Sequence, residues 1–412
     1  MKSPGSHLKY VDGLRAIAIL AVIAYHAISE ANWAFPWLVA PMTLVPTWWC
    51  TTLAAKGAHG VDLFFVISGF CLAYPVLARQ QHGGTTSFDV RGFFAKRIVR
   101  IVPPYYASIV ILVAMVVLAV HLGYHRPSAV AADFTPVSLL QQVLFFDRHA
   151  DFVNSSFWTL AIELRWYLAF PFLLLLYTRS TRFFFTVLAG CVVAFNLTQL
   201  RAMDIGTLPG FMLGIVAADW RFREPKIARF ALPAFLVALD IALLLEPFAS
   251  EPSRFGGADD VGFFVQTNVG WQLASFFFVV AAGRVAWLRR LLEFPTLCAI
   301  GVSAYGIYLV HQPIISLWDR NGGANLPPLA NFASAVCFAI AGGLAFSYIA
   351  ERPFLVNAVR ARLVRALEKP LASAFTILGV PVRLELAEAG RVAAVPQCDA
   401  AAVPALEPVG RS

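Results

Sequence analysis

Ten near-continuous apolar stretches divide the chain. They lie near residues 11–29, 60–78, 101–122, 157–177, 183–200, 206–220, 230–247, 262–283, 297–318 and 329–350. A run of roughly 17–25 such residues is what a membrane-crossing helix requires. The sixth stretch is the shortest and is glycine-rich. The pattern predicts an all-α polytopic membrane protein with about ten transmembrane helices, contained in residues 1–354. Residues 355–412 then form a tail. Around 353–369 the pattern is that of a basic amphipathic helix lying on the membrane surface. The apolar run 371–382 is too short to span and carries Gly379 and Pro381. From 383 the composition turns to Ala, Pro, Glu and Val and predicts little order. The first apolar run contains Arg15 and lacks a small-residue cleavage site, so it is expected to stay as a helix.

Composition sharpens this picture. The chain has 412 residues, 59% hydrophobic and 14% charged, whereas soluble domains carry about 25% charged residues. The net charge of +8 does not point to nucleic acid, because the Lys and Arg residues sit in alternate connections. With the N-terminus inside, 25 of them fall on the inner side, six on the outer side, and Arg165 within the fourth stretch. This bias predicts that both termini are cytoplasmic. The six cysteines are scattered, without metal-ligand spacing or a disulfide framework, and no metal is expected. The lipid bilayer is the one partner that composition demands, and no nucleic-acid partner is expected.

Several ionisable groups interrupt the apolar stretches. Such groups are costly in hydrocarbon and mark candidate functional sites. Arg15 and His26 lie eleven positions apart on the first helix, close to three whole turns, so both project from one face about 16 Å apart along the axis. Asp12 shares that helix. His26 suits general-base chemistry, because a neutral imidazole accepts a proton near pH 7; the competing reading is a packed histidine bonded to a neighbouring helix. Asp62, in Gly60-Val-Asp-Leu-Phe-Phe-Val-Ile-Ser-Gly69, is either a helix-dipole partner at an N-terminus or a carboxylate orienting an imidazole. Ser68-Gly69 favours close helix packing. Arg97 and Arg100 share a helical face and serve either as inner-side anchors or as a phosphate clamp. Glu163 lies in the fourth stretch with Arg165 and Tyr167. Residues two apart on a helix do not face each other, so Glu163 is expected to meet a site or another helix rather than Arg165. Tyr308 and His311 are neighbours on the ninth helix. Glu351-Arg-Pro-Phe354 reads as a helix terminator with an ion pair. The Trp- and Pro-rich connection 30–59 reads as interfacial anchoring or as a lid, and it is the longest outer loop beside 123–156.

Taken in order, these stretches resemble the membrane-bound acyltransferase-3 family, whose bacterial members O-acetylate cell-surface glycans. The matching segments are Asp12-Gly-Leu-Arg15 with His26, Gly60 to Phe70, Arg97-Ile-Val-Arg100, Phe157 to Glu163, Ser303 to His311, and Glu351 to Phe354. The resemblance implies ten core helices, an acyl-CoA donor (usually acetyl-CoA) entering from the cytoplasm, and transfer to a hydroxyl on the far side. It implies that His26 is catalytic and that Arg15, Arg97 and Arg100 bind the donor. The chain departs from the family where Leu164 follows Glu163 and where Arg165 stands in place of a common Gln. Many relatives append a soluble esterase-like domain; none is expected here, so the chain acts alone or with an extracytoplasmic partner.

The resulting expectation is a bacterial inner-membrane O-acyltransferase. No permanently bound cofactor is expected, and acetyl-CoA is a substrate. The acceptor is a carbohydrate such as lipopolysaccharide O-antigen or exopolysaccharide. His26 would deprotonate the acceptor hydroxyl, with Glu163 or Asp62 holding the imidazole. Tyr308 and His311 would line the acceptor side, with Asp12 and Tyr167 in support. A covalent acyl-histidine is the competing route. The competing class is a proton-coupled transporter or flippase, which also buries charged groups.

Overall fold

The computed structural model describes residues 8–29, 56–81, 83, 86–125, 136–145, 154–197, 203–249 and 268–387. Most of the two long outer connections lies outside these residues. Each of the ten apolar stretches is helical where described. They correspond to α1 (Lys9–Ser29), α2 (Gly60–Gln81), α3 (Val90–His121), α5 (Trp158–Arg179), α6 (Thr181–Leu197), α7 (Met203–Arg223), α8 (Ala231–Ala249), α9 (Asn268–Arg284), the pair α11 (Pro295–Val302) and α12 (Ala304–Arg320), and α13 (Pro328–Phe346). Three short helices, α4 (Pro136–Val143), α10 (Ala286–Leu292) and α14 (Arg352–Leu355), and the tail helix α15 (Asn357–Ile377) complete the set.

Among the described residues six helices are long and apolar enough to cross a membrane, or up to eight if α9–α10 and α11–α12, bent by 99° and 76°, each count as one span. The protein is therefore an all-α polytopic membrane protein. The outward faces fit this class. Val110, Val117 and Leu118 on α3, Leu236 and Val237 on α8 and Leu329 on α13 are exposed large apolar side chains, and a lipid solvent removes the penalty for them.

Close packing depends on glycine at several crossings, that of α2 with α7 among them. A side chain on Gly69 of α2 would place its Cβ 2.0 Å from the Phe211 carbonyl oxygen of α7, and one on Gly214 would reach 2.1 Å from the Val66 oxygen. Small residues let membrane helices approach backbone to backbone, as the Ser68-Gly69 pattern implies. Two apolar clusters fill the interior. Phe70, Phe170, Phe211 and Phe276 belong to the first, and Ile23, Tyr105, Ile307 and Ala339 to the second. Val61, Phe64 and Tyr305 pack against both.

Helix α3 begins well before the apolar stretch. The Asp89 carboxylate accepts from Gly92 N at 3.0 Å and caps it, a standard way to satisfy an orphan N-terminal donor. The helix then runs 32 residues through Pro103 and Pro104, so Arg97 and Arg100 ride on the spanning helix itself.

As far as residue 387 the tail is more structured than composition predicts, and residues 388–412, also expected to have little order, lie outside the described residues. Helix α15 continues to Ile377 through Pro370. Val364 packs with Ala95 and Val99 of α3, and Phe375 meets Phe94 edge-on at 5.5 Å. Part of its apolar face is therefore covered by protein, while Val359 and Ile377 stay exposed. Beyond it, strand β2 (Arg383–Glu385) pairs antiparallel with β1 (Ser87–Asp89), Phe88 opposite Leu384.

The Glu351 segment also differs from its sequence reading. Arg352 lies over the Tyr348 ring at 5.0 Å and does not pair with Glu351. Residues 347–351 form a π-turn that turns the Glu351 carboxylate inward. There it accepts from Gly306 N at 3.2 Å and Ser347 Oγ at 2.8 Å. Gly306 lies in the first turn of α12, immediately after the bend, where N–H groups lack helical partners. Glu351→Ala strands both donors, at about 1–3 kcal/mol. The expected outcome is a clear fall in detergent melting temperature, which Glu351→Gln partly spares.

Candidate active site

A cavity of about 320 Å³ opens among α1, α2, α3, α5, α11 and α12. Its lining extends along α2 from Val61 to Pro75, fourteen steps or about 21 Å of helix. One end carries Asp12, Arg15, Arg97 and Arg100; the other is formed by Phe64, Thr159 and Tyr308. Three guanidiniums and two carboxylates, Asp12 and Glu163, therefore line one partly open cavity.

Helix α1 supplies Asp12 and Arg15 as i, i+3 neighbours. Arg15 Nη1 donates to Asp12 Oδ1 at 2.9 Å, and Nη2 donates to Cys71 Sγ at 3.1 Å. Sequence reading assigned Cys71 no role, since a lone cysteine among apolar residues carries no signal. Arg97 sits over the rings of Tyr167 and Phe93 at 5.8 and 5.9 Å, within cation–π range. Among the described residues neither Arg97 nor Arg100 forms an ion pair. On the flanking α15, burial and then the positive charge of Arg100 lower the pKa of Arg360. This guanidinium, unremarked in the sequence, stands in the field of the same cluster.

The middle of the cavity is polar. Ser68 Oγ donates to Glu163 Oε1 at 2.7 Å, and Tyr167, one turn on from Glu163, donates its hydroxyl to the same oxygen. Glu163 does meet another helix, as the i, i+2 argument required. Beyond Ser68, Tyr305 donates to the Ile101 carbonyl at 2.9 Å.

Neither His26 nor His311 lines the cavity: His311 stands one ring beyond it and His26 one ring further. Their centroids are 5.1 Å apart, and Tyr308, which lines the cavity, lies 5.3 Å from His311. Tyr308 donates to the Ser156 carbonyl at 2.7 Å. His311 Nδ1 is 2.8 Å from the Tyr308 carbonyl. A carbonyl only accepts, so Nδ1 carries the hydrogen and, in the neutral ring, Nε2 presents a lone pair.

One expectation is corrected. Neither Glu163 nor Asp62 bonds to His26. Asp62 does hold an imidazole, but that of His59: Asp62 Oδ2 lies 2.9 Å from His59 Nδ1, and Asp62 Oδ1 accepts from Gln272 Nε2 at 3.2 Å. His59 stacks on Trp271 at 4.3 Å and 7°. The preceding 3-10 turn, Lys56–His59, brings this histidine three residues before the carboxylate. Spacing alone held that signal, and the apolar pattern starting at Gly60 masked it.

Half-buried guanidiniums at one end of the cavity, a Ser68–Glu163–Tyr167 cluster at its middle and an imidazole pair behind Tyr308 at the other make up the candidate site. The chain belongs to the acyltransferase-3 family: the family model, described as an acyltransferase domain, matches residues 8–352. It is similar to the peptidoglycan O-acetyltransferase OatA of Listeria monocytogenes, 27% identical over 74% of this chain and 49% of that protein. It is also similar to YrhL of Bacillus subtilis, provisionally named a peptidoglycan O-acetyltransferase, at 27% identity over 76% of this chain and 49% of that protein. A provisionally named O-acetyltransferase of Staphylococcus aureus is 22% identical over 85% and 58%, respectively. The chain thus spans about half the length of the curated relatives it matches. No solved structure matches it.

Proposed function

We propose that this protein is a membrane O-acyltransferase that takes an acyl group, acetyl in the first instance, from acyl-CoA and transfers it to a hydroxyl of an exported or surface glycan. The observation that carries the reading is the single cavity with Arg15, Arg97 and Arg100 at one end and Tyr308, backed by His311 and His26, at the other. Guanidinium forks suit the phosphates of the donor. The length of the cavity, with a mainly apolar lining interrupted by Ser68, Glu163 and Tyr167, suits its extended thioester arm. The imidazole pair suits removal of a proton from the acceptor hydroxyl.

The charge bias of the loops supports a donor side facing the cytoplasm, with both termini there, and the membrane in this reading is the bacterial inner membrane. The names of the relatives make peptidoglycan the first acceptor to try, followed by O-antigen and exopolysaccharide.

The test is acyl transfer by the purified protein in detergent, with radiolabelled acetyl-CoA and these glycans. The wild type is expected to label one of them, and His26→Ala to lower the rate by about 10²–10⁴ with unchanged melting. Labelling or acetyl-CoA hydrolysis that does not depend on His26 would overturn its role, and a wild type inert toward acetyl-CoA with every acceptor would overturn the function.

A further inference from the structure

We propose that Ser68 is a covalent acyl carrier, charged by the donor at one end of the cavity and discharged onto the acceptor at the other, with Glu163 as its proton partner. This rests on the acyl-transfer reading above.

The geometry is that of an activated nucleophile. Ser68 Oγ is 2.7 Å from Glu163 Oε1. Tyr167 donates to that same oxygen and fixes the carboxylate. All three side chains line the cavity. A hydroxyl within reach of a base that a third group orients is the recurring signature of covalent catalysis. Packing alone accounts for Gly69, whose missing side chain admits the α7 backbone. It does not account for a hydroxyl, a carboxylate and a phenol converging on open space.

Ser68 also lies between the two ends. Phe64, one turn along α2, meets Tyr308 edge-on at 6.2 Å, and Tyr308 leads to His311 and His26. Cys71, three residues the other way, accepts from Arg15. The donor and the acceptor, entering from opposite sides, then need not occupy the cavity together. The donor delivers its acyl group and leaves before the acceptor arrives.

The steps balance. In the first, Ser68 Oγ attacks the thioester carbonyl; the new oxygen–acyl bond forms, the acyl–sulfur bond breaks, Glu163 takes the hydroxyl proton, and the sulfur departs as thiolate in the field of Arg15. In the second, the acceptor oxygen attacks the seryl ester, and its proton passes to the His26–His311 pair. The ester bond to Ser68 breaks, and Glu163 returns its proton to the serine oxygen. The net products are acylated acceptor, thiolate and one proton released from the imidazole pair.

The experiment uses the full chain with radiolabelled acetyl-CoA and no acceptor, rapid acid quench and peptide mass mapping. One acetyl group on Ser68 is expected, stable to neutral hydroxylamine and discharged when glycan is added. Ser68→Ala should bind acetyl-CoA with wild-type affinity and melt normally, yet lose the adduct and on the order of 10³-fold of the transfer rate. Ser68→Cys should regain an adduct, now a thioester that neutral hydroxylamine cleaves. Wild-type transfer without a Ser68 adduct, an adduct on His26 instead, or full transfer by Ser68→Ala would overturn the carrier role while leaving the acyltransferase reading intact. Absence of any acetyl-CoA turnover by the wild type would overturn both.

Discussion

Replacing Arg97 and Arg100 together by alanine is expected to raise KM for acetyl-CoA by about 10²–10⁴. Each arginine lines the cavity and lacks an ion pair among the described residues, and a hydrogen bond to a charged group contributes about 1.5–3 kcal/mol. Two such contacts amount to roughly 3–6 kcal/mol, and every 1.4 kcal/mol is a factor of ten. The comparison that gives this meaning is acetyl-pantetheine, which carries the same thioester arm without the nucleotide phosphates. Its KM should not change, because nothing on it engages the guanidiniums. An equal rise for both donors would mean that the pair supports Tyr167 and the cavity wall rather than phosphate. Arg97 does sit over Tyr167, so Arg97→Lys is informative: it retains a charge near the ring but loses the planar fork. Its KM should fall between wild type and the double variant.

The second large effect is on folding. Gly69→Leu is expected to abolish cooperative melting or to lower stability by about 3 kcal/mol or more. Its Cβ would lie 2.0 Å from a backbone oxygen of α7, and a backbone atom at a helix crossing cannot move aside as a flexible side chain can. Overpacking of interiors costs about 1–3 kcal/mol even where side chains can adjust. Gly190→Ala is the control. No atom lies within 4 Å of a Cβ there, and alanine favours helix over glycine by about 0.8–1.0 kcal/mol. That variant should melt at or above the wild-type temperature. Thermal scans in one detergent separate the two outcomes, and equal destabilisation by both substitutions would discount the crossing.

Parts of the site were legible because they depend on one helix at a time. Arg15 and His26 share a stripe by arithmetic on 100° steps, and Arg97 with Arg100 by their i, i+3 spacing. Glu163 could not serve Arg165 for the same reason and had to face another helix, where Ser68 meets it. The partner of Asp62 was not legible, since its helix start is visible only once the 3-10 turn at His59 is formed. Glu351 misled for a related reason. Next to Arg352 it looks like a terminal ion pair, but a π-turn rotates it toward the broken start of α12. The tail misled through composition: a strand of three residues is held by pairing with β1, and its own sequence gives no hint of it.

Apolar run length and the distribution of Lys and Arg were enough for an all-α membrane protein, for the approximate place of its helices and for most of the ionisable residues that matter. These follow from local transfer free energies and helical periodicity, which neighbouring segments scarcely alter. Packing decided which of those residues meet. The approach of α2 to α7 at Gly69 and Gly214, and the bend between α11 and α12, set the rotation and depth of each helix. They thereby put Glu163 against Ser68, Asp62 against Gln272 and Glu351 under Gly306. Such contacts join residues far apart in the chain, Gln272 and Asp62 being 210 positions apart, and no local pattern encodes an orientation that two helices determine only together.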